Sequence, residues 1–302
     1  MPGELPWRAS MLDALVPGDV VHTHGLRPDL VIAAARLRGR LKPGVRWIST
    51  VHCDIPKDIG DLVGARLGPW VTRLWLMVLR RADRVVFLSE AARNSACLPD
   101  DRTKVITNGL SAEVPVPAHE PPPAMQAWLG QIPKGATVIA TFAVPRPLKG
   151  IELMLQAVAA CADFHFFHAG DGPGLHTLRK MAQSMGIERR CLFLGFVPAA
   201  MNLLPYCDVY LNCSSSEGSP LSVLEAMRAG VPVVAPRIGP FTEFLDVPPL
   251  RLYRPGEVDD LVHCILATKA MQGDASVAVR SIFEQRFTLS QTVKSYLELL
   301  AD

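Results

Sequence analysis

Two glutamates, Glu217 and Glu225, stand in the stretch CSSSEGSPLSVLEAMRAGVPVVAP (213–236), where residue types and spacing could do chemistry. Glu217 closes a polar strand end, and Gly218, Ser219 and Pro220 then lead into a helix expected over 220–229. Proline suits that first turn because its missing N–H would have had no intrahelical partner there. The free N–H groups around Ser219 and Leu221 can hold a phosphate through hydrogen bonds and the helix dipole. Glu225 falls about two turns beyond Glu217 in helical register. A carboxylate so placed accepts hydrogen bonds from vicinal hydroxyls such as a ribose presents. Without a ligand, Glu217 would cap the helix and Glu225 would be solvated, but the apolar neighbours in LSVLEAM oppose full solvation of Glu225.

Two more loops belong beside this stretch, because an open parallel sheet binds ligands beyond the carboxyl ends of its strands. PRPLKG (145–150) follows a strand and supplies Arg146 and Lys149, a planar fork and a point charge that both suit a diphosphate. FHAGDGPG (167–174) supplies glycines, Gly170 first, that let the backbone approach an anion or simply form the next turn. Neither a GxGxxG fingerprint nor a GKS/T loop is present, which argues against a dinucleotide oxidoreductase and a P-loop ATPase. No DxD triplet occurs, so dependence on a divalent metal is not expected. His22, His24 and His52 could be mistaken for a metal set, but no acidic spacing completes it. For His22 the default expectation is packing in the core.

The elements that must position these residues fall into two units. From residue 20 to 109, short apolar strands (20–24, 45–52, 84–89, 104–109) alternate with helices near 28–38, 66–81 and 90–97, after a helical lead-in at 7–15. That alternation is the mark of a parallel sheet with crossover helices. Residues 111–123 carry five prolines in thirteen positions and read as a linker. A second alternation runs from 136 to 253, and helices cover most of 257–300, the last of which could pack back across the boundary. The expected division is 1–115, a Pro-rich linker at 116–130, and 131–302.

Composition bounds the rest. The 302 residues are 49% hydrophobic and 20% charged, as in a folded protein. A net charge of +2 gives no reason to expect a nucleic-acid partner. Seven cysteines with no CxxC pair point to reduced thiols in the cytoplasm. No signal region opens the chain, and no apolar run is long enough to span a bilayer.

Taken together, PRPLKG, HAGDGPG, EGSPLSVLEAMRAGVPVVAP and IGPFTEFL resemble the retaining glycosyltransferases of family 4, which have the GT-B fold. DVVHTHG (19–25), STVHCD (49–54), VVFLSE (85–90) and VITNG (105–109) are similar to the acceptor domain of the same family. The resemblance implies an α/β protein with two Rossmann-like parallel-sheet domains facing a cleft: a shortened acceptor-side domain and a donor-binding domain with C-terminal helices. It implies transfer of a sugar from a nucleoside-diphosphate sugar to an acceptor hydroxyl with retention of configuration, in polysaccharide or glycolipid synthesis, with no cofactor or metal. By the same resemblance Lys149 contacts the donor diphosphate, Glu217 the transferred sugar, Glu225 the ribose, and backbone at Ser219, Pro220 and Leu221 the phosphate. His52 matches a histidine lining the catalytic cleft. Front-face attack assisted by the leaving phosphate is the implied route, since no carboxylate nucleophile presents itself.

Departures from the pattern limit these expectations. The strand and Gly-rich loop that usually precede DVVHTHG are missing, so the chain is either truncated or naturally short. The family's arginine would fall at Ala143 or Val144, and Arg146 is a candidate substitute. Gly239-Pro240 stands where a second Gly-Gly is usual, while Glu243 keeps the acidic residue that follows. Two alternatives therefore stand beside the enzyme: a weak or inactive sugar-nucleotide subunit that needs a partner, and a sugar-nucleotide epimerase of the same fold.

One segment points elsewhere. ARLGPWVTRLWLMVLRRADR (65–84) places Trp70, Leu74, Met77 and Arg81 near one stripe, with Arg66, Arg73, Arg80 and Arg84 around it. Together with RLRGRLK (36–42) it suits anionic headgroups, hence an expectation of peripheral contact at the inner face of the cytoplasmic membrane, near a lipid-linked or glycan acceptor. The plain alternative is a crossover helix with its Trp and Leu packed on the sheet.

Overall fold

A computed structural model describes residues 12–113, 120–244 and 250–301. Part of the expected lead-in helix at 7–15 and part of the Pro-rich linker lie outside these residues. The chain divides into two compact units, Met1–Thr107 and Asn108–Asp302.

The first unit is a four-stranded parallel sheet in the order β1-β2-β3-β4: Val20–His24, Arg46–Val51, Arg84–Phe87 and Thr103–Val105. Helices α1 (Leu26–Leu37), α2 (Ile55–Leu79) and α3 (Glu90–Ala96) connect them. All but the first residue of β2 are buried, as expected of a central parallel strand covered on both faces. The core gathers Ile32, Trp47, Val51, Trp75, Leu79 and Phe87. A buried polar knot ties α1 and α2 to the sheet. Asp29 accepts from Thr23 Oγ1 at 2.5 Å and from Trp75 Nε1 at 2.7 Å, while Trp47 Nε1 donates to Thr23 Oγ1 at 2.8 Å. Burial raises the Asp29 carboxyl above its ordinary value, opposed by these donors.

Helix α2 starts eleven residues earlier than the sequence pattern suggested, at Ile55 rather than 66. Asp54 caps it through the Lys57 N–H, Pro56 fits its first turn, and Ile55 and Ile59 are buried. The glycine-rich stretch that hides this periodicity also breaks the helix: Gly64 takes φ 82, which glycine alone adopts without cost.

The second unit holds six parallel strands in the order β10-β9-β8-β5-β6-β7. Their spans are β5 Thr137–Phe142, β6 Phe164–Ala169, β7 Cys191–Phe193, β8 Val209–Leu211, β9 Val233–Pro236 and β10 Arg251–Tyr253. Helices α4 (Pro123–Leu129), α5 (Ile151–Ala160), α6 (Leu175–Ser184), α7 (Leu221–Arg228), α8 (Gly239–Phe244), α9 (Val258–Lys269), α10 (Gln272–Arg286) and α11 (Leu289–Ala301) complete it. Residues expected at the domain boundary are bound into this unit. Leu110 N–H donates to Phe287 O at 3.0 Å and Leu289 N–H to Leu110 O at 2.7 Å, and α4 buries Met125 and Trp128 against Ala140 and Phe167. From β5 the chain builds outward to β6 and β7, then returns to β8 on the opposite flank. The strand order therefore reverses between β5 and β8, and the carboxyl ends of those two strands open a natural crevice.

Candidate functional site

Lys149 and Glu217 meet at that reversal. After β5 the chain makes a 3₁₀ turn over Pro147–Lys149 that ends at Gly150, whose φ is 60. A side chain at Gly150 would collide with the Cys213 carbonyl, so only glycine lets this loop rest on the end of β8. The Ser215 N–H donates to Leu148 O at 2.9 Å and holds it there. Lys149 Nζ consequently stands 2.6 Å from Glu217 Oε1. The same oxygen accepts from Ser214 Oγ at 2.7 Å and from Asn212 Nδ2 at 3.3 Å. Asn212 is oriented in turn by the Ser214 N–H, which donates to its Oδ1 at 2.9 Å. Three donors thus fix one carboxylate oxygen, leaving Glu217 Oε2 without a hydrogen bond from the described residues.

Tyr210 ties the two strand ends together. Its phenol oxygen accepts from the Phe142 N–H at 3.0 Å, and its ring meets the Phe142 ring edge-on at 5.4 Å. Burial pushes the phenol up to about 12. Thr141, Phe142, Tyr210, Ser222, Lys149 and Glu217 share a cavity of about 70 Å³. A space of that size has room for small hydroxyl-bearing groups.

Helix α7 begins beside this cavity. Pro220 precedes it in an extended conformation, and its carbonyl takes the N–H groups of Val223 and Leu224. The N–H groups of Leu221 and Ser222 in the first turn lie outside the intrahelical ladder, as helix starts require. Ser219 is buried, and its carbonyl accepts from Asn108 Nδ2 at 3.0 Å, which holds the entry to the helix. Glu225 is half-buried on α7, and its carboxylate has no hydrogen-bond partner among the described residues. Burial raises its carboxyl, with the nearby Arg228 opposing, so it is a desolvated acceptor and not a solvated one.

The remaining sequence candidates separate from this group. Arg146 is exposed and lines a different depression, with Pro145, Ile151, Gly174 and Leu178. It precedes the 3₁₀ turn in an extended conformation (φ −138, ψ 153), and the two cations line different depressions. Gly170 serves packing: its N–H donates to Gly195 O at 2.7 Å, and a side chain there would collide with the Ala143 carbonyl. His168, fully buried, donates from Nε2 to that carbonyl at 2.8 Å, and burial lowers its basicity. Tyr210 carries no motif, and His168, although it opens HAGDGPG, was given no role; the strand order brings both to the exit of β5.

In the first unit His24 Nδ1 lies 2.8 Å from His52 Nε2, and His22 Nε2 lies 2.7 Å from Thr50 Oγ1. His22 is not in the core as expected. It shares an outward face of β1 with His24, while Val21 and Thr23 point inward. The reason is the Asp29–Trp47–Trp75 knot, which gives Thr23 the buried place. Partial desolvation, then the neighbouring His24 and His52, bring His22 down to about 4. Desolvation and His24 lower His52 as well. No group of three His, Cys, Asp or Glu side chains with metal-binding geometry occurs among the described residues.

Two family models match successive parts of the chain: Glycosyltransferase Family 4 over residues 3–114, and Glycosyl transferases group 1 over residues 128–247. The O-antigen biosynthesis glycosyltransferase WclY of Escherichia coli is 26% identical over 279 residues, 92% of this chain and 77% of that protein. A 2-deoxystreptamine glucosyltransferase of Streptomyces kanamyceticus is 28% identical over 284 residues, with 86% of this chain and 72% of that protein covered. Among solved structures, HepE of Anabaena in complex with UDP-glucose superposes with a TM-score of 0.79 at 23% identity, covering 94% of this chain and 78% of HepE. The lipopolysaccharide outer core galactosyltransferase WaaB gives 0.68 at 18% identity, covering 95% of this chain and 76% of WaaB.

Proposed function

We propose that this chain is a GT-B glycosyltransferase related to the group 1 and family 4 enzymes, and that it transfers a hexose from a nucleoside-diphosphate sugar to an acceptor hydroxyl with the anomeric configuration retained. The observation that carries this reading is the convergence of Lys149, Ser214 and Asn212 on Glu217 beside the open first turn of α7. One corner of the sheet then offers a cation, two unused N–H groups and an oriented carboxylate. A sugar diphosphate needs those three things.

The demanding event is charge separation. As the anomeric C–O bond breaks, the sugar becomes oxocarbenium-like and the diphosphate gains negative charge. Lys149 and the N–H groups of Leu221 and Ser222 act where that charge develops, which is where an interaction lowers the barrier. Glu217 takes hydroxyls of the transferred sugar through Oε2, and Glu225 takes those of the ribose. The acceptor hydroxyl attacks from the face the diphosphate leaves and gives its proton to a phosphate oxygen of the leaving group. Arg146, set apart from Lys149, serves the outer part of the nucleotide. His52 belongs to the acceptor side, and the acceptor is a lipid-linked or glycan hydroxyl handled in the cytoplasm, at the inner face of the cytoplasmic membrane.

Calorimetric titration with UDP, GDP and ADP tests the premise, with UDP first because HepE is seen with UDP-glucose. Binding of one of them is expected; binding of none would overturn the reading. Nuclear magnetic resonance of the product formed from an α-linked donor tests retention, since a β-linked product would overturn that part alone.

A further inference from the structure

We infer that the outer face of α2 is the surface by which the protein docks on an anionic lipid bilayer, an inference that rests on the location in the reading above and not on its chemistry. The plain expectation for a crossover helix is that Trp and Leu side chains pack on the sheet. In α2 they do so only on one side: Trp75, Val78 and Leu79 are buried. On the other side Leu67, Trp70, Leu74 and Met77 are 60%, 71%, 43% and 50% exposed. At about 100° per residue these four fall within an arc of about 80°, a continuous apolar stripe on the segment that follows the Gly64 break. An isolated exposed leucine needs no explanation, but four large apolar side chains in one row do.

The charges beside the stripe decide what covers it. Arg66, Arg73 and Arg80 repeat every two turns and form a row along one edge of the stripe, and Arg81 closes its end. All four are exposed, and none has an acidic partner among the described residues. Other basic residues expected to contribute are already used: Arg36 pairs with Asp83 at 2.8 Å and Arg40 with Asp13 at 3.2 Å. The helix end is firmly held, since the Arg80 and Arg81 carbonyls accept from Arg102 and Arg36. The stripe is therefore a rigid face and not a frayed one. A row of guanidinium groups beside a row of Trp, Leu and Met matches the layering of a bilayer surface, phosphate at one depth and acyl chain just below. Among the described residues no helix is long and apolar enough to cross a membrane, so α2 lies in the plane.

Co-sedimentation of the full chain with vesicles tests this. Vesicles of phosphatidylcholine containing a minority of phosphatidylglycerol are expected to carry the protein down; phosphatidylcholine alone is not, and added salt should release it. Each arginine near such a surface contributes about a five-fold factor, so R73Q/R80Q should lower partitioning by about thirty-fold. W70S/L74S should also lower partitioning at low salt, although it keeps every arginine. Both variants alter exposed side chains, and unchanged far-UV circular dichroism is the expected control. Equal recovery in the supernatant with both vesicle types overturns the inference. So does partitioning undiminished in R73Q/R80Q, or a concentration-dependent dimer that W70S/L74S dissociates. Nucleotide titration on the same preparations separates the two readings: vesicle binding without nucleotide binding would leave the docking surface and remove the transferase.

Discussion

Lys149→Met and Glu217→Gln are expected to move nucleoside-diphosphate affinity in opposite directions. Lys149 Nζ is held 2.6 Å from Glu217 Oε1, so a phosphate must share or displace this ion pair. Two unit charges about 4 Å apart attract by about 4 kcal/mol at an effective dielectric near 20. The Lys149 side chain is 29% exposed, and Ser214 and Asn212 already serve the same oxygen. Solvent and those donors therefore reduce the cost of parting the pair to about 1–2 kcal/mol. Replacing Glu217 with the neutral isostere removes that cost, and affinity should rise by about five- to thirty-fold. Replacing Lys149 with methionine removes a charged hydrogen bond of about 1.5–3 kcal/mol, and affinity should fall by about ten- to a hundred-fold. Turnover with the full donor sugar should fall in both variants, because the proposed reaction uses Glu217 on the sugar and Lys149 on the leaving group. The double variant should bind like Lys149→Met alone, since no cation remains to be released. Isothermal titration of the four proteins measures the whole cycle. Weakening of equal size in both single variants, or additivity in the double, would refute the picture of a resting pair opened by the ligand.

Three further outcomes follow from the same geometry. Glu225 is raised by burial, so the folded chain holds a proton that the unfolded one has released, and stability falls as pH climbs from the ordinary carboxylate range through the raised value. Glu225→Gln should therefore raise Tm at neutral pH, with no gain at acid pH, while weakening nucleotide binding. His22 runs the opposite way. Its value of about 4 lies below the unfolded value of about 6.5, so stability is lost as pH drops through that window, and His22→Gln should flatten the loss in melts of the full chain. Tyr210→Phe leaves the Phe142 N–H without its acceptor and should cost about 1–3 kcal/mol in urea unfolding.

Much of the site was legible because its logic is local. Glu217, Gly218, Ser219 and Pro220 spell a strand end followed by a helix start, and α7 begins at Leu221 as that spelling requires. Lys149 was legible by the same route. Its separation from Arg146 was not, because the spacing does not show that Arg146 is extended (φ −138, ψ 153) and that only Pro147–Lys149 form the 3₁₀ turn. The face of β1 was ambiguous in VVHTH, since polar residues occupy both registers. Only the partners of Thr23, which come from β2 and α1, settle which one is buried. The early start of α2 was hidden for a related reason: glycines at 60, 64 and 68 dilute the apolar period that would have marked it.

What no local pattern could show is how the exit of β5 is held. Tyr210 comes from β8 and His168 from β6, the two neighbours that the strand order gives β5. Tyr210 accepts the N–H of Phe142 and His168 donates to the carbonyl of Ala143, so two consecutive residues are pinned from opposite flanks. Ala143 N–H also donates to Ala169 O at 3.2 Å, and Gly170 leaves that approach open. Because His168 donates from Nε2 to a carbonyl, which can only accept, its tautomer is fixed and its buried Nδ1 is left unprotonated. Charging it would place a second proton on an atom with no acceptor among the described residues, so the burial that lowers its basicity also keeps the clamp neutral. The loop carrying Lys149 therefore departs from a backbone fixed on both sides. A cation on a flexible stem becomes a positioned one because the strand beneath it cannot shift.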